Sequence, residues 1–244
     1  MISATALSGT ATPAWKPIEL SPRETRMAML RNGFTPIPIN GKDAFLAGWQ
    51  RLSVNEIVIA GWGENHNTGM RTAYAPVFDS DILDGEAAQL VENIIFHEFH
   101  GRGVLICRRG MPPKFAFVFQ TPEPFKKIQR KFRAPDGTIH KIEILGDGQQ
   151  LAVAGIHPMT HQAFTWKHGF SVANIAHSHL PIVDADLMQQ LVNLCAKELE
   201  GKLGWVDLIS PEETASTPIE TAELSLPLRE RLANDRVSRC PRCQ

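Results

Sequence analysis

The middle of the chain constrains its fold most, because four short segments rich in β-branched and aromatic residues follow one another there. They read VLICRR, FAFVFQT, IHKIEIL and QLAVAG, and the turn signals GMPP, PDGT and GDG separate them. Sequential strands with brief links pair antiparallel, since a parallel crossover needs a dozen or more residues. The sequence therefore predicts a mainly antiparallel central sheet.

Helices are predicted on both sides of this region. Two capping boxes, Ser21-Pro22-Arg23-Glu24 and Ser53-Val54-Asn55-Glu56, each mark a helix start. Together with apolar periodicity they predict helices over 22–31, from the second box to near Gly61, over 85–99 and over 184–200. The expected fold class is α+β, with helices flanking the sheet.

Composition divides the chain into three parts. Residues 1–20 are rich in Ala, Thr and Pro and are predicted to be irregular, whereas 21–206 has the pattern of a folded domain. Residues 207–244 are predicted to be a linker and a short tail that contains Cys240 and Cys243. Two thiolates make half of a zinc ribbon and cannot by themselves complete a tetrahedral site.

The expected location is the cytoplasm. The chain has no run of 18 apolar residues, and its first residues lack the basic-then-apolar order of a signal peptide. Cys107 and Cys195 lie in apolar stretches, as reduced core thiols do. No membrane partner is expected.

The segment APVFDSDI places two carboxylates, Asp79 and Asp81, on the same face of a predicted strand. Like charges this close repel unless a cation neutralises them, which favours a divalent metal ion bound by both. The alternative is a solvated strand end that leads into the turn at Asp84-Gly85.

Glu143 is a third acid that projects from a predicted strand, IHKIEIL. If this strand neighbours APVFDSDI, three carboxylates converge and offer the hard oxygen donors that Mg²⁺ or Mn²⁺ uses in phosphoryl chemistry. The alternative is an exposed acid opposite a buried pair of isoleucines.

Basic residues are concentrated between the acids, although the whole chain carries a net charge of −1. Residues 101–141 contain ten Lys or Arg against Glu123 and Asp136, which predicts a surface that faces phosphates. Part of this excess is KKIQRKFR, whose Lys126, Lys127, Arg130 and Lys131 are candidate nucleic-acid contacts. The alternative for these four residues is a solvated helix face.

Several segments, taken in order, resemble the primase-polymerase domain of phage, prophage and plasmid replication proteins in the archaeo-eukaryotic primase superfamily. They are GFTPIPINGKDAFLAGWQ, NTG, VFDSDILDGEAA, CRRGMPPKFAFVFQTPEPFKKI and HKIEILGDGQQLAVAGIHPMTHQAFTW, and they span about residues 30–170. The resemblance implies a catalytic core of the RNA-recognition-motif type.

The resemblance also implies roles for individual residues. Asp79, Asp81 and Glu143 match the catalytic metal ligands, and Lys114 lies where many members have a phosphate-binding histidine. The implied nucleotide-binding set is Lys114, Arg108, Arg109, Gln149, Gln150 and His157. Strand alternation places Arg108 and Arg109 on opposite faces, so that at most one of them reaches the site directly.

The function that this set predicts is template-directed nucleotidyl transfer by two metal ions, as in primer synthesis or DNA polymerisation. The expected partners are a DNA template and primer, NTP or dNTP, and a helicase that is fused to the chain or supplied in trans, since no P-loop occurs here.

Two other classes stay open. A non-catalytic nucleic-acid-binding module would keep the fold and bind DNA without regard to metal. A D-x-D glycosyltransferase would need a parallel, doubly wound sheet. A metal nuclease is less favoured, because no E-x-K follows the acids.

Overall fold

The computed structural model describes residues 20–208, which form an α+β fold. The helices are α1 (Pro22–Arg31), α2 (Glu56–Ala60), α3 (Gly85–Phe99) and α4 (Ala185–Leu203). The strands are β1 (Pro36–Asn40), β2 (Asp43–Ala44), β3 (Asn67–Arg71), β4 (Val77–Asp81), β5 (Ile106–Arg109), β6 (Phe115–Val118), β7 (Ile128–Arg133), β8 (Ile139–Leu145), β9 (Gln150–Ala154), β10 (Thr165–Trp166) and β11 (Val206–Asp207). Each pairing between these strands is antiparallel, which confirms the predicted α+β class and sheet type.

Three helices begin where the sequence predicts, because a side-chain oxygen accepts a hydrogen bond from a free backbone N–H of the first turn. At α1, Ser21 and Glu24 form the reciprocal capping box, with donor–acceptor distances of 2.8 and 3.2 Å. Asp84 and Asp184 cap α3 and α4 through the backbone N–H three residues further on.

The start of α2 differs from the prediction. Asn55, and not Ser53, is its N-cap, and Asn55 Oδ1 accepts from the backbone N–H of Val58 at 3.0 Å. Asparagine caps a helix about as well as serine does, so either residue could begin the helix by its type alone. The predicted end at Gly61 is confirmed.

The larger sheet has seven strands in the order β10-β5-β6-β4-β8-β7-β11. One of its faces, called here the helix face, packs on α3 and α4. Its core includes Phe78, Phe117, Ile142 and Ile144 from the strands, together with apolar residues of both helices. β4 lies at the centre of the sheet, so its side chains on either face are enclosed by neighbouring strands.

The opposite face of the larger sheet is covered over part of its extent. The four-stranded sheet β2-β1-β3-β9 contributes Met70 and Leu151 to a second core, which also contains Val77 of β4 and Leu145 of β8. Further along β4, the Asp81 side chain is 26% exposed. The cover therefore ends between Val77 and Asp81, and the uncovered part of this surface is called here the open face.

β7 is a strand that the sequence analysis did not predict, and the alternative of a solvated helix face for KKIQRKFR is wrong. β7 pairs with β8 along its whole length, from Ile128 opposite Ile144 to Arg133 opposite Ile139. The alternation of polar and apolar residues that marks a strand is not visible in this segment, because Arg130 occupies a position that faces the helices. Arg130 is buried on the helix face, where it bonds Asn193 of α4 at 2.6 Å and Asp207 of β11 at 2.9 Å.

Three predictions concern residues outside 20–208. They are the irregular N-terminal segment, of which only residue 20 is described, most of the linker, and the tail with Cys240 and Cys243. Residue 207, predicted to begin the linker, is part of β11. Over the range that the structure describes, none of the helices has the length and apolar character needed to cross a bilayer.

Candidate metal and nucleotide site

Three carboxylates meet on the open face of the larger sheet. Asp79 of β4 lies directly opposite Glu143 of β8, and Asp81 follows two residues later on the same face. One carboxylate oxygen from each residue lies within 4.8 Å of the others. These three residues are called here the acid cluster, and their convergence is the arrangement that the two strand patterns predicted.

Basic side chains surround the acid cluster. Lys114 and Lys141 Nζ each lie 3.1 Å from an Asp81 oxygen, and Lys141 Nζ also lies 2.8 Å from Glu143 Oε2. Lys127 Nζ is 2.5 Å from Glu143 Oε1, and an Arg108 nitrogen is 3.8 Å from Asp79 Oδ1. The site therefore gathers more cationic groups than carboxylates, as a site for phosphates requires.

The two aspartates are in different electrostatic environments. Burial raises the pKa of Asp79 to about 6, and the nearby carboxylates of Asp81 and Glu143 add to this effect against the opposing charge of Arg108. Burial also acts on Asp81, but hydrogen bonds and charges from Lys141 and Lys114 outweigh it and lower the pKa of that carboxyl. Asp79 is thus the carboxylate that most lacks a compensating cation.

The donor set fits a hard divalent cation. It consists of carboxylate oxygens from three residues on two adjacent strands, so the positions of the donors are set by the sheet. The buried Glu143 Oε1 is paired with Lys127 Nζ at 2.5 Å, so a metal ion bound there would take the place of this lysine.

Arg108 faces the acid cluster and is almost completely buried. Its Nε has no hydrogen-bond partner, and its guanidinium lies 5.2 Å from the centre of the Phe164 ring. Gly110 leaves the space for this packing, because a Cβ there would lie 2.7 Å from Arg108 and 3.0 Å from His157. Arg108 and His157 are therefore close neighbours beside the acids.

Arg109 lies on the helix face, so its prediction as a nucleotide-binding residue is corrected. Its guanidinium bonds the buried Glu92 of α3 at 2.7 Å, and Lys167 Nζ lies 3.1 Å from the same oxygen. Glu92, Arg109 and Lys167 are called here the closed cluster. Alternation along β5 predicted that the two arginines would separate, but it did not indicate which of them joins the acids.

His157 is buried, and its tautomer is set by the backbone. Nδ1 accepts from the N–H groups of Met159 and Thr160 at 3.2 and 3.3 Å, which leaves Nε2 to carry the hydrogen. Burial lowers the pKa of His157, and the charges of Lys42, Arg108 and Lys114 lower it further. His157 is therefore a neutral donor close to the basic groups.

The two predicted glutamines differ in position. Gln150 donates to the backbone carbonyl of Lys42 at 2.5 Å, so it supports the β1–β2 turn that carries Lys42. The only side-chain hydrogen bond of Gln149 within residues 20–208 is a long one, 3.4 Å, to the adjacent Gly148 carbonyl. Gln150 is thus linked to the site through Lys42, and Gln149 has no such link.

The four basic residues predicted to contact nucleic acid are divided among three places. Lys127 reaches Glu143, and Lys131 lies on the open face opposite Lys141. Lys126 pairs with Asp147 at 2.9 Å at an exposed position. Arg130 is buried on the helix face, which corrects its prediction as a nucleic-acid contact.

The sequence analysis assigned no site role to two basic residues that lie near the acids. Lys141 is adjacent to the acids through β8, and its alternation with Glu143 was a usable signal. Lys42 lies in the β1–β2 turn, and its pKa is lowered by burial and by the charge of Arg108. No local pattern connects Lys42 with strands far along the chain.

A separate cavity of about 570 Å³ lies at the turn between β7 and β8, next to His140 and Trp205. None of its lining residues is one of the predicted site residues. The acid cluster is therefore distinct from this cavity, and it lies on the open face of the sheet.

No protein-family model matches the chain, and no curated protein matches it at a significant level. The chemistry of the site is therefore inferred from its own residues and their geometry.

Proposed function

We propose that this protein is a metal-dependent nucleotidyltransferase that extends a primer on a DNA template. One observation carries the proposal: the carboxylates of Asp79, Asp81 and Glu143 converge on an open sheet face inside a group of Lys and Arg side chains. Acids that hold divalent ions, beside cations that bind phosphates, are the two components that phosphoryl transfer needs.

The acid cluster would hold Mg²⁺ or Mn²⁺. When bound, such ions lower the pKa of an attacking hydroxyl and stabilise the charge on a pyrophosphate leaving group. Asp79 and Asp81 lie on one strand and Glu143 on the next, and backbone hydrogen bonds fix the spacing of the two strands, so these three residues would hold the ions. Lys141 and Lys114, which neutralise the acids, would then be released towards the substrate phosphates.

The triphosphate of the incoming nucleotide would lie against Arg108, Lys114 and His157. Arg108 supports this most directly, because a buried guanidinium nitrogen without an acceptor is costly unless an anionic ligand supplies one. Nε2–H of His157 supplies a neutral donor, so this residue binds a phosphate oxygen without adding charge. Lys42 would contribute a further positive charge from the β1–β2 turn.

Within this class, the proposed assignment is a primase-polymerase domain of the phage and plasmid type, with a catalytic core of the RNA-recognition-motif type. Its support is the ordered sequence resemblance together with an antiparallel sheet that carries all three acids. The proposed partners are a DNA template and primer, NTP or dNTP, and a helicase that is fused or supplied in trans. The proposal includes no membrane partner and a cytoplasmic location.

A second candidate is a nucleic-acid-binding module without catalysis. The ion pairs of Asp81 and Glu143 with Lys114, Lys127 and Lys141 favour it, since an acid cluster balanced by lysines can also be a structural network. The D-x-D glycosyltransferase is less favoured, because strands β4 and β8 that carry the acids pair antiparallel.

The test is primer extension with dNTP and, separately, with NTP, with Mn²⁺, with Mg²⁺ or with a chelator. We expect the parent chain to extend the primer when a metal ion is present, and Asp79→Asn to lose several orders of magnitude in rate. The matched control is Glu86→Gln, which removes an exposed carboxylate on α3 and should extend at the parental rate.

Thermal melting separates lost chemistry from lost folding. Without metal, Asp79→Asn should melt at the parental temperature or slightly higher, because it removes a carboxylate whose ionised form is disfavoured by burial. Mn²⁺ should raise the melting temperature of the parent more than that of the variant. Extension by Asp79→Asn at the parental rate, or equal stabilisation of both chains by Mn²⁺, would favour the binding module.

A further inference from the structure

The open face continues beyond the acid cluster onto β7, β8 and β11. Side-chain exposure rises along β8 from the buried Glu143, through Lys141 at 39%, to Ile139 at 51%. On β7, Lys131 lies opposite Lys141 and Arg133 lies opposite Ile139, and both basic residues are exposed. The surface formed by Lys131, Arg133, Lys141, Ile139 and Val206 is called here the distal surface.

Of the three basic residues of the distal surface, Lys141 is paired with Asp81 and Glu143, whereas the other two have no ion-pair partner in the described part of the chain. Between residues 20 and 208, neither Lys131 nor Arg133 forms a salt bridge, whereas Lys126 is paired with Asp147 and Arg130 with Asp207. Two adjacent basic groups on a strand repel one another unless anions lie between them. Their charge is complementary to a phosphate backbone.

The distal surface also has exposed apolar groups beside this charge. Val206 of β11 lies opposite Arg133, which in turn lies opposite Ile139. Val206 is 53% exposed and Ile139 is 51% exposed. Arg133 thus lies between two exposed apolar side chains. This combination suits a nucleic-acid strand, whose sugars and bases have apolar faces and whose phosphates are anionic.

The distance from the acid cluster limits which part of a strand can lie here. Neighbouring strands are about 4.8 Å apart, so β7 is roughly 10 Å from β4 across the sheet. Along a DNA strand the repeat is about 3.4 Å per nucleotide, so this distance corresponds to roughly three nucleotides. The distal surface is therefore close enough to contact the same strand that reaches the acids.

We propose that Lys131 and Arg133 on the distal surface bind the backbone of the primer–template strand a few nucleotides from the acid cluster. The identification of the strand as primer–template rests on the proposed function, whereas the binding of a polynucleotide rests on the charge and shape of the surface. Arg133 has no assigned role otherwise. Of the five basic residues in KKIQRKFR, Lys131 and Arg133 belong to this surface.

The test compares Lys131→Glu/Arg133→Glu with Lys197→Glu/Lys202→Glu, a control that makes the same change of charge on α4. The probe is a fluorescein-labelled oligodeoxythymidine of about 20 nucleotides, longer than typical single-strand site sizes. Its binding is measured by anisotropy, in chelator and over a range of salt concentrations. We expect at least a tenfold loss of affinity in the first variant and less than about a twofold change in the control.

Two further measurements show whether the lost affinity comes from phosphate contacts and whether it affects primer–template binding during extension. Lys131→Gln/Arg133→Gln should reduce the slope of log affinity against log salt by about 1.4, since each phosphate contact with a single strand contributes about 0.7. In primer extension, the glutamate variant should raise the KM for primer–template at least about tenfold and leave kcat within about twofold of the parent.

The outcomes distinguish this proposal from the proposed function. Unchanged oligonucleotide affinity in Lys131→Glu/Arg133→Glu, with extension still dependent on Asp79, would overturn the distal surface alone. Loss of affinity in a chain that never incorporates a nucleotide would support the distal surface and overturn the proposed function. If the parent chain binds no oligonucleotide, with or without Mn²⁺, the distal surface fits an acidic protein partner and the proposal is wrong.

Discussion

Arg108 and Arg109 are consecutive residues of β5, yet each takes part in a different group of charges on a different face of the same sheet. On the helix face, Glu92 in the closed cluster is 3% exposed and accepts contacts from both Arg109 and Lys167. On the open face, Arg108 lies 3.8 Å from Asp79 and its Nε has no partner. The charged groups of the closed cluster find their partners within the protein, whereas the group around Arg108 includes a polar nitrogen that is left for a ligand.

The largest expected effects come from replacing one glutamate on each face of the sheet by glutamine, namely Glu143 on the open face and Glu92 on the helix face. Glu143→Gln should lower the rate of primer extension at least about 100-fold, because it would remove a charged ligand of the proposed metal site. Its effect on folding should be smaller than that of Glu92→Gln, since the ammonium groups of Lys127 and Lys141 are 34% and 39% exposed and can turn towards water. Extension kinetics and urea unfolding check the two expectations.

Glu92→Gln should show the opposite behaviour. It leaves Arg109 and Lys167 without their shared buried carboxylate, and breaking a buried ion pair costs about 3–5 kcal/mol of unfolding free energy. Its extension rate should stay within about threefold of the parent at a temperature where both chains are folded. If Glu92→Gln abolished extension and Glu143→Gln unfolded the chain, the assignment of the two faces would be reversed.

The arginines allow a smaller and sharper comparison. Arg108→Gln should raise the KM for the nucleoside triphosphate about 10- to 100-fold, as loss of a charge-assisted hydrogen bond worth about 1.5–3 kcal/mol implies. Arg109→Gln should lower the melting temperature and leave that KM unchanged. Steady-state kinetics with a fixed primer–template, together with melting curves, give both values. Equal effects of the two substitutions on KM would contradict the comparison.

The smallest expected effect is a dependence of metal binding on pH. Asp79 has a pKa of about 6 in the folded chain, above its ordinary value of 3.8, so between these values the folded state holds a proton that the unfolded chain has released. The contribution of Asp79 to metal-free stability therefore falls as the pH rises through this window.

Mn²⁺ must displace the same proton. Its affinity should fall by up to about tenfold for each unit of pH below 6, and binding should release a proton. Calorimetry in two buffers with different heats of ionisation measures that release. Asp79→Asn should show little proton release on this account, and a pH dependence equal to that of the parent would show that Asp79 is not the titrating ligand.

Local patterns predicted much of the fold and part of the site. Strand alternation gave the shared face of Asp79 and Asp81, and capping residues gave the starts of α1, α3 and α4. The predicted strand IHKIEIL is β8 to the residue. These features depend on neighbours within a few positions in the chain, which is why a single sequence reveals them.

The rest depends on contacts between distant segments. The pairing of β4 with β8, which brings Glu143 to Asp79, follows from the sheet order and not from either strand alone. β7 was missed because Arg130 occupies an inward position, and only Asn193 and Asp207 of later elements explain how that charge is tolerated. Lys42 approaches the acids through a turn whose position is set by Gln150.

The direct opposition of Asp79 and Glu143 in β4 and β8 also has a consequence for how the chain avoids misfolding. A slip of one residue between these strands would turn Glu143 and Lys141 towards α3 and α4 and expose Ile142 and Ile144 instead. Burying a carboxylate and an ammonium among the apolar residues of the helix face would cost several kcal/mol. The charged residues of the candidate site therefore also disfavour the wrong register between β4 and β8.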